Sequence, residues 1–107
     1  MDKTDKIREL NDEFRQQLPN NGILLTQGVN AREDKTEIVE QVRDFKDFNE
    51  DNDPHKEHDF GSIVLNDGQK IFWKIDYYDI NLQKHSPDPA NPDVTKRILT
   101  IMLSEDY

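Results

Sequence analysis

Phe60-Gly61-Ser62-Ile63-Val64-Leu65-Asn66-Asp67-Gly68-Gln69-Lys70-Ile71-Phe72-Trp73-Lys74-Ile75-Asp76-Tyr77-Tyr78-Asp79 is the stretch that decides the fold. Two apolar-alternating runs, residues 60–65 and 69–79, flank Asn66-Asp67-Gly68. Asp-Gly between such runs is a hairpin signal, because a tight turn needs positive φ and glycine supplies it. In the second run Ile71, Trp73, Ile75 and Tyr77 point one way, and Phe72, Lys74, Asp76 and Tyr78 the other. The first set reads as a core face and the second as a partly wet one.

Downstream, residues 97–103 carry β-branched and apolar side chains on both faces, which predicts a central strand covered on both sides. Between the two strands, Ser86-Pro87-Asp88-Pro89-Ala90-Asn91-Pro92-Asp93 carries three prolines and reads as a stiff loop. Upstream, Ile7, Leu10, Phe14 and Leu18 are spaced three, four and four apart, and predict one face of a helix over residues 5–18. Residues 23–27 form a short strand between Gly22 and Gly28, which Val29 to Ala31 could extend. A second helical pattern places Ile38, Val39, Val42, Phe45 and Phe48 on one side, with acids in its first half, where negative charge suits the helix dipole. The expected architecture is α+β: two helices packed on a mainly antiparallel sheet of about four strands, ordered α-β-α-β-β-β. Residues 1–107 make a single domain.

Hydrophobic residues are 33% and charged residues 35%, near the regime where burial no longer offsets chain entropy. The apolar residues are clustered in periodic runs, however, so a folded domain with a wet surface is expected. The formal net charge of −9 argues against direct binding of nucleic acid or of an anionic membrane. It leaves room for a basic protein partner. With no cysteine, disulfides and thiolate metal sites are excluded. Residues 1–6 lack the layout of a secretion signal, and no apolar run approaches the roughly 20 residues of a membrane span, so a cytoplasmic location is expected.

Two places could carry chemistry. The first is the acidic stretch 49–59, where Asp53, His55, His58 and Asp59 are weak candidates for a divalent metal, with Asp51 and Glu57 alongside. The plainer reading is a solvated loop whose carboxylates cap turns. The second is the wet face of the long strand, Lys74, Asp76 and Tyr78, with Asp79 just beyond. Antiparallel pairing is expected to set residues near Asp59 opposite residues near Tyr77. His58, Asp59, Lys74, Asp76, Tyr78 and Asp79 therefore form one candidate cluster at an end of the sheet, suited to acid–base work if buried. A cross-strand ion pair is the simpler use of Lys74 and Asp76. No glycine-rich phosphate loop or nucleophile elbow is present.

Asn52-Asp53-Pro54, Glu57-His58-Asp59-Phe60-Gly61, Trp73-Lys74-Ile75-Asp76-Tyr77-Tyr78-Asp79 and Thr95-x-Arg97-x-Leu99-Thr100-Ile101-Met102-Leu103 occur together. With Leu10-Asn11-Asp12-x-Phe14-Arg15 and Leu25-Thr26-x-Gly28-Val29, the set resembles an uncharacterised bacterial family, domain of unknown function thirty-seven sixty-eight. The resemblance implies a small bacterial protein of the sort found beside mobile-element genes, and it implies no reaction or ligand. The resulting expectation is a non-enzymatic binding or accessory protein without a cofactor, acting on a basic or nucleic-acid-handling protein partner. The alternative is a metal-dependent or acid–base enzyme using His58, Asp59, Asp76, Tyr78 and Asp79. Monomer and homodimer are both left open.

Overall fold

In the computed structural model, which describes residues 2–107, helix α1 spans Lys3–Gln16. Asp2 caps it, its carboxylate accepting from the Asp5 N–H at 2.8 Å. The buried line along α1 is Ile7, Asn11 and Arg15, while Leu10 and Phe14 are only half-buried on its flank. The helix is thus rotated from the face that its apolar spacing predicts, because Asn11 and Arg15 find buried partners in the rest of the fold.

Strand β1, Ile23–Leu25, is followed by α2, Gln27–Asn30, a single turn where the sequence suggests a continued strand. Gly28 permits this turn: a Cβ there would stand 2.5 Å from the Leu103 side chain. Helix α3, Lys35–Arg43, buries Ile38 and Val42 and ends before Phe45 and Phe48, which the periodicity had assigned to it. Arg15 explains the stop. Its guanidinium donates to the carbonyls of Val42 (3.1 Å) and Arg43 (2.7 Å), satisfying acceptors that a longer helix would have used internally. Phe45 and Phe48 then turn edge-on to Trp73, with centroids 5.5 and 6.1 Å away.

Strands β2, Phe60–Val64, and β3, Lys70–Tyr78, form the expected hairpin, with Gly68 at φ 90° in its turn. Strand β4, Lys96–Leu103, pairs antiparallel with β3 and parallel with β1, giving the sheet order β1-β4-β3-β2. The fold is therefore α+β with a mixed, mainly antiparallel sheet. Ile71, Trp73, Ile75 and Tyr77 alternate inward as expected. They join Leu99 and Ile101 of β4 beneath Ile7, Val29, Ile38 and Val42 of the helical layer. Full burial of the Trp73 ring makes it the anchor of this core: truncation of such a side chain typically costs about 3–5 kcal/mol.

The second face of the sheet is covered only in part. Tyr107 packs against Phe60 and Phe72 there and Met102 of β4 is buried, but Ile98 and Thr100 are only half-buried, so central β4 is covered in part on this face. The proline loop is pinned: Thr95 Oγ1 donates to the Asp88 carbonyl (2.9 Å), and Arg97 donates to the Pro89 carbonyl (2.6 Å). Among the described residues no helix is long and apolar enough to cross a membrane.

Candidate functional site

The hairpin places Phe60 opposite Lys74, and the Ile75 N–H donates to the Asp59 carbonyl at 2.9 Å. Asp59 thus sits opposite Ile75, two positions from the Tyr77 pairing that the turn suggests. His58, at φ 55° just ahead of β2, does not share a cleft with Asp59, Asp76 and Tyr78. The expected single cluster is thereby divided into three places.

His58 goes under the helical layer. It adopts φ 55°, its backbone N–H donates to Asp53 (3.0 Å), and its ring stacks on Phe48 with centroids 3.8 Å apart. An ionised carboxylate can only accept, so Nδ1–H donates to Asp12, 2.9 Å away on α1. Nε2 faces Asp53 at 3.5 Å. The imidazole ties α1 to the loop before β2. His55 is exposed on that loop, away from this contact. Of the four metal candidates, only Asp53 and His58 meet. Among the described residues no group of three or more His, Asp or Glu side chains has the geometry to hold a metal ion.

Asp59, Asp76 and Tyr78 do come together, lining a cleft of about 310 Å³ with Lys84 and His85. Burial, and then the charge of Glu57, hold the Asp59 carboxyl above the usual carboxylate range. Lys74 and Asp76 form an ion pair at 3.1 Å with both side chains partly exposed. His85, which reads as a solvated loop residue, is brought in by a bridge between its backbone and that of Tyr78. Asp79 is committed to the following turn, its carboxylate accepting from the N–H of Gln83 at 2.9 Å. The cleft gathers a carboxyl that retains its proton more strongly than usual, an imidazole and a phenol, the side-chain types that serve in general acid–base chemistry.

A further polar set lies outside the candidates read from the sequence. Arg97 Nε donates to Asn11 Oδ1 (2.7 Å), and Asn11 Nδ2 donates to the Tyr77 hydroxyl (2.7 Å) and the Glu57 carbonyl (2.9 Å). The Tyr77 hydroxyl donates onward to the Glu57 carboxylate (2.8 Å). Burial pushes the Tyr77 phenol well above its ordinary value and draws the Arg97 guanidinium down. A usable signal was present: Asn11 and Arg97 each fall in phase with core positions, where a polar residue needs a partner.

These features define a small α+β protein in which one helical layer is locked to one face of a mixed sheet by buried polar contacts. Residues 25–106 match the model of a family described as a protein of unknown function, DUF3768, and the chain belongs to that family. The match opens at β1, so α1 and the motif around Asn11 precede it. No curated protein matches the chain, and no solved structure does.

Proposed function

We propose that the chain is a binding or accessory protein whose acidic helical layer docks on a basic surface of a protein partner. The observation that carries this reading is where the charge lies. Residues 2–59, which hold all three helices and the loop before β2, contain 16 acids against 9 bases, whereas residues 60–107 contain 7 against 5. Glu9, Glu13, Glu37, Asp47, Glu50 and Asp51 are exposed, and among the described residues none lies within ion-pair distance of a base. Uncompensated charge of one sign steers association with an oppositely charged surface. The finer setting belongs to the same proposal: a cytoplasmic bacterial protein near mobile-element genes, acting on a partner that handles nucleic acid.

The test compares binding to oligo-lysine and oligo-arginine peptides at low and high salt for two double variants of equal charge. Glu9→Lys with Glu13→Lys changes the helical layer, and Asp93→Lys with Glu105→Lys changes the strand half. Salt-sensitive binding lost only in the first variant supports the reading. Equal loss in both, or binding indifferent to salt, removes it.

The cleft beside Asp59 favours a second reading, acid–base catalysis by Asp59 with His85. A screen of chromogenic esters and phosphates across pH tests it. A turnover abolished by both Asp59→Asn and His85→Ala supports catalysis, and no turnover on any substrate counts against it.

A further inference from the structure

Because α1 turns Asn11 and Arg15 toward the sheet, Leu10 and Phe14 are left on its flank. Facing them are Ile98 of β4, Pro92, and Leu82 from the turn after β3. Together they line a groove of about 500 Å³, against about 310 Å³ for the cleft beside Asp59.

The turn over residues 79–84 is closed by its own hydrogen bonds. The Asp79 N–H donates to the Lys84 carbonyl (2.8 Å), the Leu82 N–H to the Asp79 carbonyl (3.0 Å), and the Asp79 carboxylate receives the Gln83 N–H. This tip presents Ile80 at 56% exposure and Leu82 at 55%. Leu82 adopts φ 57°, a left-handed conformation in which a leucine Cβ crowds the backbone and asparagine or glycine is at ease. An apolar side chain held in water on strained backbone adds nothing to stability, and features of this kind mark recognition surfaces.

The groove has a charged rim. Glu13 lines it, Glu9 lies one turn earlier on α1, and both are exposed and, among the described residues, without an ion-pair partner. Lys96 stands at the other end, while Arg97 has turned its guanidinium inward to Asn11 and Pro89. From Leu10 to Gln17 the groove wall runs about 10 Å, two turns of helix at about 1.5 Å per residue.

We propose that this groove receives an amphipathic basic helix of the partner protein. Apolar side chains spaced i, i+4 and i+7 contact Leu10, Phe14, Ile98 and Leu82, and Lys or Arg on the flank of that helix pairs with Glu9 and Glu13. Lys96 faces the C-terminal end of the incoming helix, whose last carbonyls welcome a cation. This assignment rests on the acidic-surface reading above and supplies the chemistry of its partner.

Two labelled peptides of identical Leu and Lys composition separate the two ideas by fluorescence anisotropy. One places every leucine on a single helical face, and its scramble does not. Each is titrated onto the wild-type chain, onto Leu82→Asn, and onto the double variant Glu9→Lys/Glu13→Lys. The amphipathic peptide is expected to bind roughly tenfold more tightly than the scramble, with Leu82→Asn removing most of that preference and leaving scramble binding unchanged. The double charge reversal weakens both peptides. Equal binding of the two peptides, or a preference that survives Leu82→Asn, overturns the groove while charge-sensitive binding keeps the acidic layer. Binding of neither peptide, or binding untouched by the charge reversal, overturns both. The Leu82 side chain is solvent-facing, so the variant folds; a denaturation curve run alongside confirms it.

Discussion

Arg97 Nε donates to Asn11 Oδ1 at 2.7 Å across 86 residues of chain, with Asn11 wholly buried and Arg97 nearly so. The bond joins the middle of α1 to the start of β4 and passes through Asn11 to Tyr77 and Glu57. Asn11→Leu keeps the branching of the side chain and removes the acceptor, leaving a buried guanidinium donor and the Tyr77 hydroxyl each short of a partner. The expected loss is about 3 kcal/mol, since breaking a buried charged network costs more than one exposed bond. Tyr77→Phe, which removes only the hydroxyl, should cost about half as much. Urea unfolding of the two variants checks the order, and a larger loss for Tyr77→Phe would place the weight of the network on Glu57 instead.

The Asp59 carboxyl is held above its ordinary range, first by burial, then by Glu57 and Asp53. The native state therefore keeps that proton to higher pH than the unfolded chain does. Its contribution to stability is present below the unfolded value and is lost as pH rises through the native one. Asp34 and Asp44, lowered by hydrogen bonds from Arg32 and Arg43, run the opposite way, as does Asp67, lowered first by the Gln69 N–H. All three are common to both proteins and cancel in a difference. Asp59→Asn should match wild type at the acid end and become the more stable protein as pH rises through the carboxylate range. A difference that stays flat across that range would show that Asp59 is better solvated than its position implies.

Local signals in the chain were enough for the hairpin and for the inward set Ile71, Trp73, Ile75 and Tyr77, because a turn and a two-residue alternation depend on neighbours. The end of α3 was not legible, since its cap comes from Arg15, 28 residues upstream of Arg43. The rotation of α1 was hidden for the same reason: apolar spacing favours Leu10 and Phe14, and only the distant Arg97 and Tyr77 make Asn11 the better residue to bury. The candidate cluster was half legible. Asp59, Asp76 and Tyr78 meet, but the positive φ at His58 turns that ring toward Phe48 and Asp12, and His85 arrives only through its bridge to Tyr78.

Gly61 and Gly68 share a hairpin and should respond differently to alanine. Gly61 lies directly across from Trp73, and a Cβ there would press on the indole Nε1 and come within 2.9 Å of Phe45. Trp73 is fully buried, so Gly61→Ala should cost about 3 kcal/mol as overpacking. At Gly68 a Cβ meets nothing within 4 Å, but φ is 90°. Only backbone strain applies there, and about 1 kcal/mol is expected. Thermal unfolding of both variants tests the assignment, and similar losses would mean that the core beneath Gly61 repacks around the methyl group.

Leu82 and His58 are both L-residues at positive φ, 57° and 55°, yet the surroundings of each predict opposite responses to asparagine. At Leu82 the side chain is 55% exposed, so little packing is lost while the left-handed backbone becomes comfortable. Leu82→Asn should raise stability by about 1 kcal/mol. At His58 asparagine keeps the backbone at ease but gives up the 3.8 Å stack on Phe48 and the Nδ1 contact with Asp12. His58→Asn should lower stability by about 2 kcal/mol, the sum of a stacked ring and a charge-assisted hydrogen bond. It should also hasten proteolysis of the loop between α3 and β2, which the imidazole fastens to α1. One urea titration series reads both variants. A gain at Leu82 would mean that the chain retains a strained apolar residue at the expense of stability, as a recognition surface requires. No gain would mean that the turn relaxes around the leucine, and the case for the groove would then rest on its lining and its rim alone.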